Sequence, residues 1–297
     1  MANPKVLDKR RKSVKNIAKI TRTMELIATA RFKKAMDRAS AATDYTDRVS
    51  KLVRDLTEAG LEVSHPLLEK RDNPQHGKLL VLTANRGLCG GFNGNLIRAG
   101  LGAWTELQAA VPNCTLEVSG KRGISGFKFR GQQVDQSFTH FEDKPRFDEV
   151  DEIATRYLDD FIAGRLDRLD VVYMKFESVA RQKVSVETLL PLGSVVGGDE
   201  ASNENLEEKS GASLYEFLPS PESILEEVIP MSFKIKLFKC FLDSAVNEQV
   251  ARMIAMKGAT ENANDLIKKL SMQYNRARQG RITSELIDLI GGVEAIS

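Results

Sequence analysis

Residues 235–277 carry the pattern that decides the fold, and they read IKLFKCFLDSAVNEQVARMIAMKGATENANDLIKKLSMQYNRA. Steps of three and four residues alternate along this stretch without a slip, through Ile235, Phe238, Leu242, Ala245, Gln249, Arg252, Met256, Ala259, Ala263, Leu266, Leu270, Gln273 and Ala277. This alternation gives a period of about 3.5 residues, which is typical of a left-handed coiled coil. Alanine and polar residues occupy many of the positions, and small side chains let two helices approach closely. The stretch predicts a slender helical rod, although an ordinary intramolecular coiled coil fits the same pattern.

A second long helix is predicted at the N-terminus, because neither proline nor glycine occurs between Lys5 and Glu58. Small and apolar residues again step by three and four, through Val14, Ile17, Thr21, Met24 and Ala28. The C-terminal helix should be kinked or interrupted early, at Pro230, because proline lacks the N–H that a helix interior needs. We therefore predict terminal helices over residues 1–60 and 221–297.

The middle of the chain, residues 75–195, alternates strand and helix signals. Strands are predicted over 78–84, 116–118, 134–138, 169–176 and 184–190, and helices over 93–110 and 147–163. Strands separated by helices of this length favour a largely parallel α/β sheet. Residues 196–220 are predicted to form an acidic loop, which connects this α/β domain to the C-terminal helix.

Charge and cysteine content exclude several classes of protein. Residues 1–38 carry twelve Lys/Arg against three acids, whereas residues 199–227 carry nine acids against one lysine, which suggests partners of opposite sign at different places. No apolar stretch approaches the ~18 residues that span a bilayer, so an integral membrane protein is excluded. Three widely spaced cysteines without a zinc spacing indicate a reduced cytoplasmic protein. The apolar spacing of the basic N-terminus continues past any plausible transit-peptide cleavage point, which favours a bacterial protein.

The motif NRGLCGGFN, residues 85–93, follows a predicted strand and precedes a predicted helix, where glycine-rich turns bind phosphate in nucleotide folds. It contains neither GxxxxGK[ST] nor GxGxxG, and a tight turn that needs glycine backbone angles is the simpler interpretation. A catalytic role for Cys89 would need a histidine base, and none of the three histidines has a recognisable motif context. We predict no catalytic residue, cofactor or metal site. We also predict no nucleic-acid partner, because the basic helix has almost no aromatic residues for base stacking.

Four stretches of the chain resemble the gamma subunit of F-type ATP synthases. They are RRKSVKNIAKITRTMELIATARFKKA (10–35), TANRGLCGGFNGNL (83–96), EQVARMIAMKGATENANDLI (248–267) and YNRARQGRITSELIDLIGG (274–292). They occur in the order and spacing of that family, over essentially the whole chain. AGRLDRLDVVYMKF (163–176) and LYEFLPSPESIL (214–225) resemble the family more loosely.

The resemblance implies a fold in which the terminal helices form a long antiparallel coiled coil and the middle domain is a mostly parallel, Rossmann-like sheet flanked by helices. It implies a non-catalytic rotating shaft inside a ring of three alpha and three beta subunits, with the middle domain against the epsilon subunit and the membrane c-ring. Proton flow would turn the c-ring and the shaft together and so drive ATP synthesis, and the subunit would regulate ATPase activity and proton flow. The chain would be a peripheral protein on the cytoplasmic face of the bacterial inner membrane, without inserting into it.

The resemblance also assigns residues to subunit interfaces. Met24 matches a methionine that faces the lever region of the beta subunits, and Arg252 lies in the ARMxAMK segment. The ARQxxITxEL segment contributes Arg278, Gln279, Thr283 and Glu285, and the pair near the c-ring contact is matched by Tyr215 and Glu216.

Two positions depart from the family pattern. Gly258 stands where the family commonly has alanine, at a cost of roughly 1 kcal/mol to a helix, and Gly280-Arg281 replaces a pair of small residues.

Two other functions also fit the residues. An α/β enzyme with coiled-coil dimerisation arms would bind a nucleotide, and a static scaffold protein is distinguished by whether the chain copurifies with ATPase subunits.

Overall fold

The computed structural model describes residues 3–58, 66–69, 71, 73–141, 144–192 and 221–294. Its elements, in chain order, are α1 (Pro4–Glu58), β1 (His76–Leu82), α2 (Phe92–Ala110), β2 (Asn113–Ser119), α3 (Lys121–Phe129), β3 (Gln136–Phe138), α4 (Phe147–Ile162), β4 (Arg168–Phe176), β5 (Gln182–Leu190) and α5 (Pro221–Glu294). The chain divides into two compact units. Residues 1–30 and 252–297 form the terminal-helix unit, and residues 31–251 form the central unit.

In the terminal-helix unit, α1 and α5 run antiparallel. Thr21 lies opposite Thr260, with hydroxyl oxygens 2.8 Å apart, and Arg11 lies over the ring of Tyr274, 4.9 Å from its centroid. Residue numbers therefore increase along α1 as those of the facing residues on α5 decrease, which is the antiparallel arrangement. The buried residues between the helices are Val14, Ala263 and Leu270, with Leu7, Ala18 and Ile267 packed against them. Because several of these side chains are small, the two helices lie close together, as the coiled-coil prediction requires.

The seam between the helices differs from the predicted one at single positions. Leu266 is 44% exposed and Ile267 packs in its place, and Ile17 is 51% exposed while Ala18 packs. Both pairs are adjacent residues that can each fill a seam, so the 3–4 pattern alone does not decide between them. The period of the pattern is correct, and its phase shifts by one residue at these two places and again at Gln273, which is exposed while Tyr274 is partly buried.

The central unit is built on a five-stranded sheet with the strand order β3-β2-β1-β4-β5. Strands β1 to β4 pair in parallel, and β5 pairs antiparallel with β4 along the edge. Successive side chains of β1 alternate between two cores. Leu79 and Val81 pack with α2 and α3, and Leu80 and Leu82 pack with α4 and α5. The predicted class, a mostly parallel Rossmann-like sheet flanked by helices, is confirmed.

Helix α5 is a single element through Pro230. The predicted interruption at this residue is therefore wrong, and the kink that was its alternative stays a prediction. A proline inside a helix removes one hydrogen bond and crowds the preceding turn. Here Ile229 and Phe233, on either side of it, are both buried in the core under the sheet, and their packing holds the helix against that cost. Among the described residues, no helix is long and apolar enough to cross a membrane.

Candidate functional site

The glycine-rich turn after β1 is held by side chains of the turn itself. Leu88 and Gly90 have positive φ angles of 65° and 55°, which turn the chain sharply into α2. The Asn93 side-chain oxygen accepts the Ala84 N–H at 2.9 Å, which ties the start of α2 to the end of β1. Asn85 donates to the carbonyl of Phe141 at 2.7 Å. The geometry is that of the tight structural turn favoured by the sequence.

The start of the same turn also closes the N-terminus of α3, the helix that follows β2. The first N–H groups of α3 have partners within the chain: Lys121 donates to Asn85 Oδ1 at 3.1 Å, Arg122 to the Ala84 carbonyl at 3.1 Å and Gly123 to Thr83 Oγ1 at 2.9 Å. The space is also filled, since a Cβ on Gly120 would lie 2.1 Å from the Thr83 carbonyl oxygen. A phosphate binds a helix N-terminus through free N–H groups. The first three N–H groups of α3 already donate to acceptors of this chain, so they are not free for a phosphate.

Cys89 is enclosed by the same turn. Its side chain is 2% exposed, and its sulfur accepts a hydrogen bond from Asn93 at 3.1 Å. A nucleophilic thiol needs access to substrate and an environment that stabilises the thiolate. Because Cys89 is buried beneath the turn, a substrate cannot reach its sulfur. Within the described ranges, no three His, Cys, Asp or Glu side chains come together as a metal site.

Large apolar side chains face outwards along the terminal helices. On α1 these are Val6, Ile17, Ile20, Leu26 and Ile27, with exposed fractions of 47–62%. Along the last described turns of α5 they are Ile282, Leu286, Ile287, Leu289, Ile290 and Val293, with exposed fractions of 48–69%. Single exposed apolar residues need no explanation, but a continuous set marks a surface that another protein covers.

Six of the eight predicted interface residues lie on the terminal helices, and four of these six are exposed. Met24 is half-buried on α1, and Arg252 is 9% exposed on α5. Arg278 and Gln279 lie about seven turns beyond Arg252 on the same helix, and both side chains are exposed. The Arg278 guanidinium lies 5.9 Å from the centroid of the Tyr274 ring.

Thr283 and Glu285 follow on the next turns of α5, and both are exposed. The Thr283 hydroxyl donates to the carbonyl of Gln279 at 3.0 Å, and Glu285 forms a 3.0 Å ion pair with Arg281. The departure at Arg281 thus places a cation beside an acid on the exposed helix surface. The structure gathers four predicted residues, 278, 279, 283 and 285, within about two turns. Tyr215 and Glu216 lie outside the described residues.

A cluster of buried polar residues on α5 could not be recognised from the sequence, where only Gln249 was noted as a polar position of the seam. Residues 241–250 of α5 are all buried in the central unit, and Asp243, Ser244, Asn247 and Gln249 are among them. Burial raises the pKa of Asp243 to about 6. The only available signal was the density of polar residues in a stretch that otherwise predicts a packed seam.

Comparison with known proteins places these features in a family. A family model described as ATP synthase matches residues 3–296. The ATP synthase gamma chain of Rhodopirellula baltica is 59% identical over 296 residues, which covers 100% of this chain and 99% of that relative. The ATP synthase gamma chain of Leptospira biflexa is 39% identical, with 100% of both chains covered.

Among solved structures, the chain is similar to one in the mitochondrial ATP synthase of Euglena gracilis, an OSCP/F1/c-ring structure. The TM-score is 0.65 at 20% identity, with 99% of this chain and 94% of the other covered. A chain of the central stalk/c-ring structure of Tetrahymena thermophila mitochondrial ATP synthase gives a TM-score of 0.58 at 20% identity, with 81% and 99% covered. At this identity the likeness shows a shared fold.

Proposed function

The chain belongs to the ATP synthase gamma-chain family, and we propose that it is the central rotating shaft that couples proton flow through the membrane c-ring to ATP synthesis in the alpha–beta ring. In this proposal the chain is non-catalytic and regulates both the ATPase activity and the proton flow of the complex. It acts as a peripheral subunit on the cytoplasmic face of the bacterial inner membrane.

One observation carries the proposal: the last described turns of α5 present large apolar side chains to solvent on a single helix. Residues 282–293 hold six of them, each about half exposed or more. Apolar surface contributes about 25 cal/mol per Å² when it is removed from water, so this segment gains free energy by entering a partner. The alpha and beta subunits are the proposed partners here. Exposed Arg278, Gln279, Thr283 and Glu285 lie beside it and would add polar contacts to the beta subunits.

A shaft must interact differently with each catalytic subunit. If its interaction energy with all beta subunits were equal, turning it would shift no conformational equilibrium. The surface of the terminal-helix unit differs in charge and polarity from one part to another, as such a shaft requires. Lys15, Lys19 and Arg22 lie on α1 beside a groove that also includes Lys257 and Glu261 of α5, whereas the end of α5 is apolar. Met24 and Arg252 are proposed to contribute to the same interface.

The absence of catalysis by this chain is part of the proposal, and it is supported by the burial of Cys89, which is 2% exposed beneath the glycine-rich turn. The first N–H groups of α3 also donate within the chain, to Asn85, Ala84 and Thr83. The central unit would instead contact the epsilon subunit and the c-ring, the latter also through Tyr215 and Glu216. An enzyme with coiled-coil arms would bind a nucleotide. Calorimetry of the purified chain with ATP and with ADP is therefore expected to show no binding at micromolar concentrations.

Reconstitution with alpha and beta subunits tests the proposal. A triple variant, I282S/L286S/I290S, removes apolar area from α5 at exposed positions, so the free chain should keep its helicity and thermal stability. We expect the variant to assemble poorly with the alpha–beta ring or to slow steady-state ATP hydrolysis at least tenfold. The matched control is Phe129→Ser on α3, which removes the most exposed of the large apolar side chains described, 89% exposed, at a place distant in sequence. Normal assembly and turnover of the triple variant would contradict the proposal.

A further inference from the structure

Helix α5 contains a segment that is buried on every side and is nevertheless rich in polar residues. Ten consecutive residues, 241–250, are buried in the central unit. From α1, Ala35 and Ala39 pack against Leu242 and Val246 of this segment. A buried polar side chain costs free energy unless it is hydrogen-bonded. The polar residues of the segment therefore call for a physical reason.

Two of them hold α5 on the carboxyl end of β4. Asn247 donates from its side-chain amide to the carbonyl of Met174 at 2.8 Å, and also to the Asp243 carbonyl at 2.9 Å. One turn earlier, the Asp243 carboxyl group accepts a hydrogen bond from the backbone N–H of Phe176, the last residue of β4. Asp243 and Asn247 are four residues apart, so their side chains lie on one face of the helix.

The pair has one unmet hydrogen bond. Asn247 is fully buried, and its side-chain oxygen has no hydrogen-bond partner. An ionised Asp243 offers only acceptors, whereas a protonated carboxyl group also carries one O–H donor. Protonation of Asp243 thus supplies the kind of group that the Asn247 oxygen lacks, one helical turn away.

The charges around Asp243 come from three elements. Burial is the largest cause that raises its pKa, to about 6, and the Glu187 carboxylate of β5 acts in the same direction. Lys239 on α5, Lys175 on β4 and the Phe176 N–H act in the opposite direction.

Glu187 itself accepts a hydrogen bond from Tyr173 at 2.7 Å and lies 3.9 Å from Lys175. Burial raises the pKa of Tyr173 and of the nearby Cys240 above their usual values, so both groups stay neutral at physiological pH. Asp243 is therefore the group of this cluster that changes charge near neutrality.

We propose that Asp243 and Asn247 form a protonation-sensitive clamp, which holds α5 on the carboxyl end of β4 more tightly in acid than at neutral pH. In the protonated state the carboxyl group no longer repels Glu187 and gains a donor towards Asn247. In the ionised state the buried Asp243 carboxylate repels that of the half-buried Glu187, and the contact opens more often. The clamp is a property of the folded chain and goes beyond the proposed rotary function, so it holds or fails independently of assembly.

Amide hydrogen exchange of the full chain tests the clamp directly. Peptides that cover β4 and residues 240–250 are followed by mass spectrometry at about pH 5.5 and about pH 7.5, after correction for the intrinsic pH dependence of exchange. A raised pKa in the folded state means that stability is gained as pH falls through it. With a folded value of about 6 and an open-state value of 3.8, protection should rise about fourfold from the higher to the lower pH.

The decisive variant is Asp243→Asn, which is neutral at both pH values and keeps a donor. We expect its protection to be insensitive to pH and close to the wild-type level in acid. The control, Asp265→Asn, removes an exposed acid from the same helix and should keep the fourfold response. A wild-type chain without the response, or a D243N chain that retains it, overturns the clamp. A carbon NMR titration of Asp243 in the wild-type chain tests it without any variant: a midpoint near 6 supports the clamp, and a midpoint near 3.8 refutes it.

Discussion

The hydroxyl groups of Thr21 and Thr260 face each other across the two terminal helices, with oxygens 2.8 Å apart. The Thr21 side chain is 9% exposed, and the Thr260 hydroxyl also lies 2.8 Å from the Met256 carbonyl of its own helix. A polar pair at this position fixes which residue of α1 lies opposite which residue of α5. A purely apolar seam fixes the register of the two helices less strictly, because many registers bury a similar apolar area.

Replacing Thr21 and Thr260 by valine, singly and together, measures this contact. A hydrogen bond of this type contributes about 0.5–1.5 kcal/mol, so each single change should lower the free energy of unfolding by about that amount. Because each change removes the same contact, the double variant should lose less than the sum of the two. The control is Thr283→Val, since the Thr283 hydroxyl donates to the Gln279 carbonyl of its own helix at 3.0 Å. Strict additivity in urea unfolding would show that the two hydroxyls do not interact.

Gly258→Ala should stabilise the chain by up to about 1 kcal/mol, because alanine favours a helix and reduces the freedom of the unfolded chain. A Cβ at this position meets nothing within 4 Å, so the new methyl group fits. Gly123→Ala is the matched control, since its Cβ would lie 2.4 Å from Thr83 Oγ1 and should destabilise the chain. Thermal unfolding of the two variants is the measurement. A lower melting temperature for G258A than for the unchanged chain would show that the added methyl group does not fit.

Tyr157→Phe should lower the free energy of unfolding by about 1.5–3 kcal/mol. The Tyr157 hydroxyl donates at 2.7 Å to Glu117, which is 3% exposed and also pairs with Arg156 at 2.6 Å. A hydrogen bond to a buried charged group is worth more than a neutral one, and its loss leaves the carboxylate less satisfied. Tyr274→Phe is the control, because it keeps the ring that Arg11 covers. Equal effects of the two substitutions would mean that the Glu117 contact contributes nothing.

The double variant R278A/Q279A should leave the helicity of the free chain unchanged, because alanine favours a helix and both side chains are exposed. In the reconstituted complex it should impair assembly or slow ATP hydrolysis, since charge-assisted hydrogen bonds to the beta subunits would be lost. Subunit stoichiometry and steady-state turnover are the measurements. The control, Lys268→Ala, removes an exposed cation nearer the middle of α5. If the double variant assembles and turns over normally, the two side chains are merely solvated.

Much of the architecture was predictable because it follows from periodicity. The 3.5-residue pattern of α5 and the strand-then-helix alternation of residues 75–195 both describe which faces must be buried. Phase was harder, since Leu266 and Ile267 are both apolar and only packing against α1 selects Ile267. Helix α3 was not predicted at all, because glycines at 123 and 126 argue against a helix. The structure needs the first of them there, since a Cβ on Gly123 would lie 2.4 Å from Thr83 Oγ1 and 2.8 Å from Val118 Cγ1.

The predicted interface was accessible from sequence only by family resemblance. Nothing in the spacing of Arg278 or Gln279 indicates a partner, and the structure shows that both are exposed and that Arg278 lies near the ring of Tyr274. The buried clamp was inaccessible for another reason. Asp243 lies on α5, whereas Glu187 and Phe176 lie on two strands of the sheet, so no local pattern connects them.

Observation of rotation in a reconstituted complex tests the central claim most directly. Phe129 is 89% exposed on α3, so Phe129→Cys offers an attachment site for a marker, in a chain whose partly exposed Cys114 is replaced by serine and whose Cys89 and Cys240 are buried. With the alpha–beta ring fixed to a surface and ATP supplied, the marker should turn in one direction, in steps of about one third of a turn. ATP hydrolysis at an undiminished rate with a stationary marker would contradict the assignment of this chain as the rotating shaft.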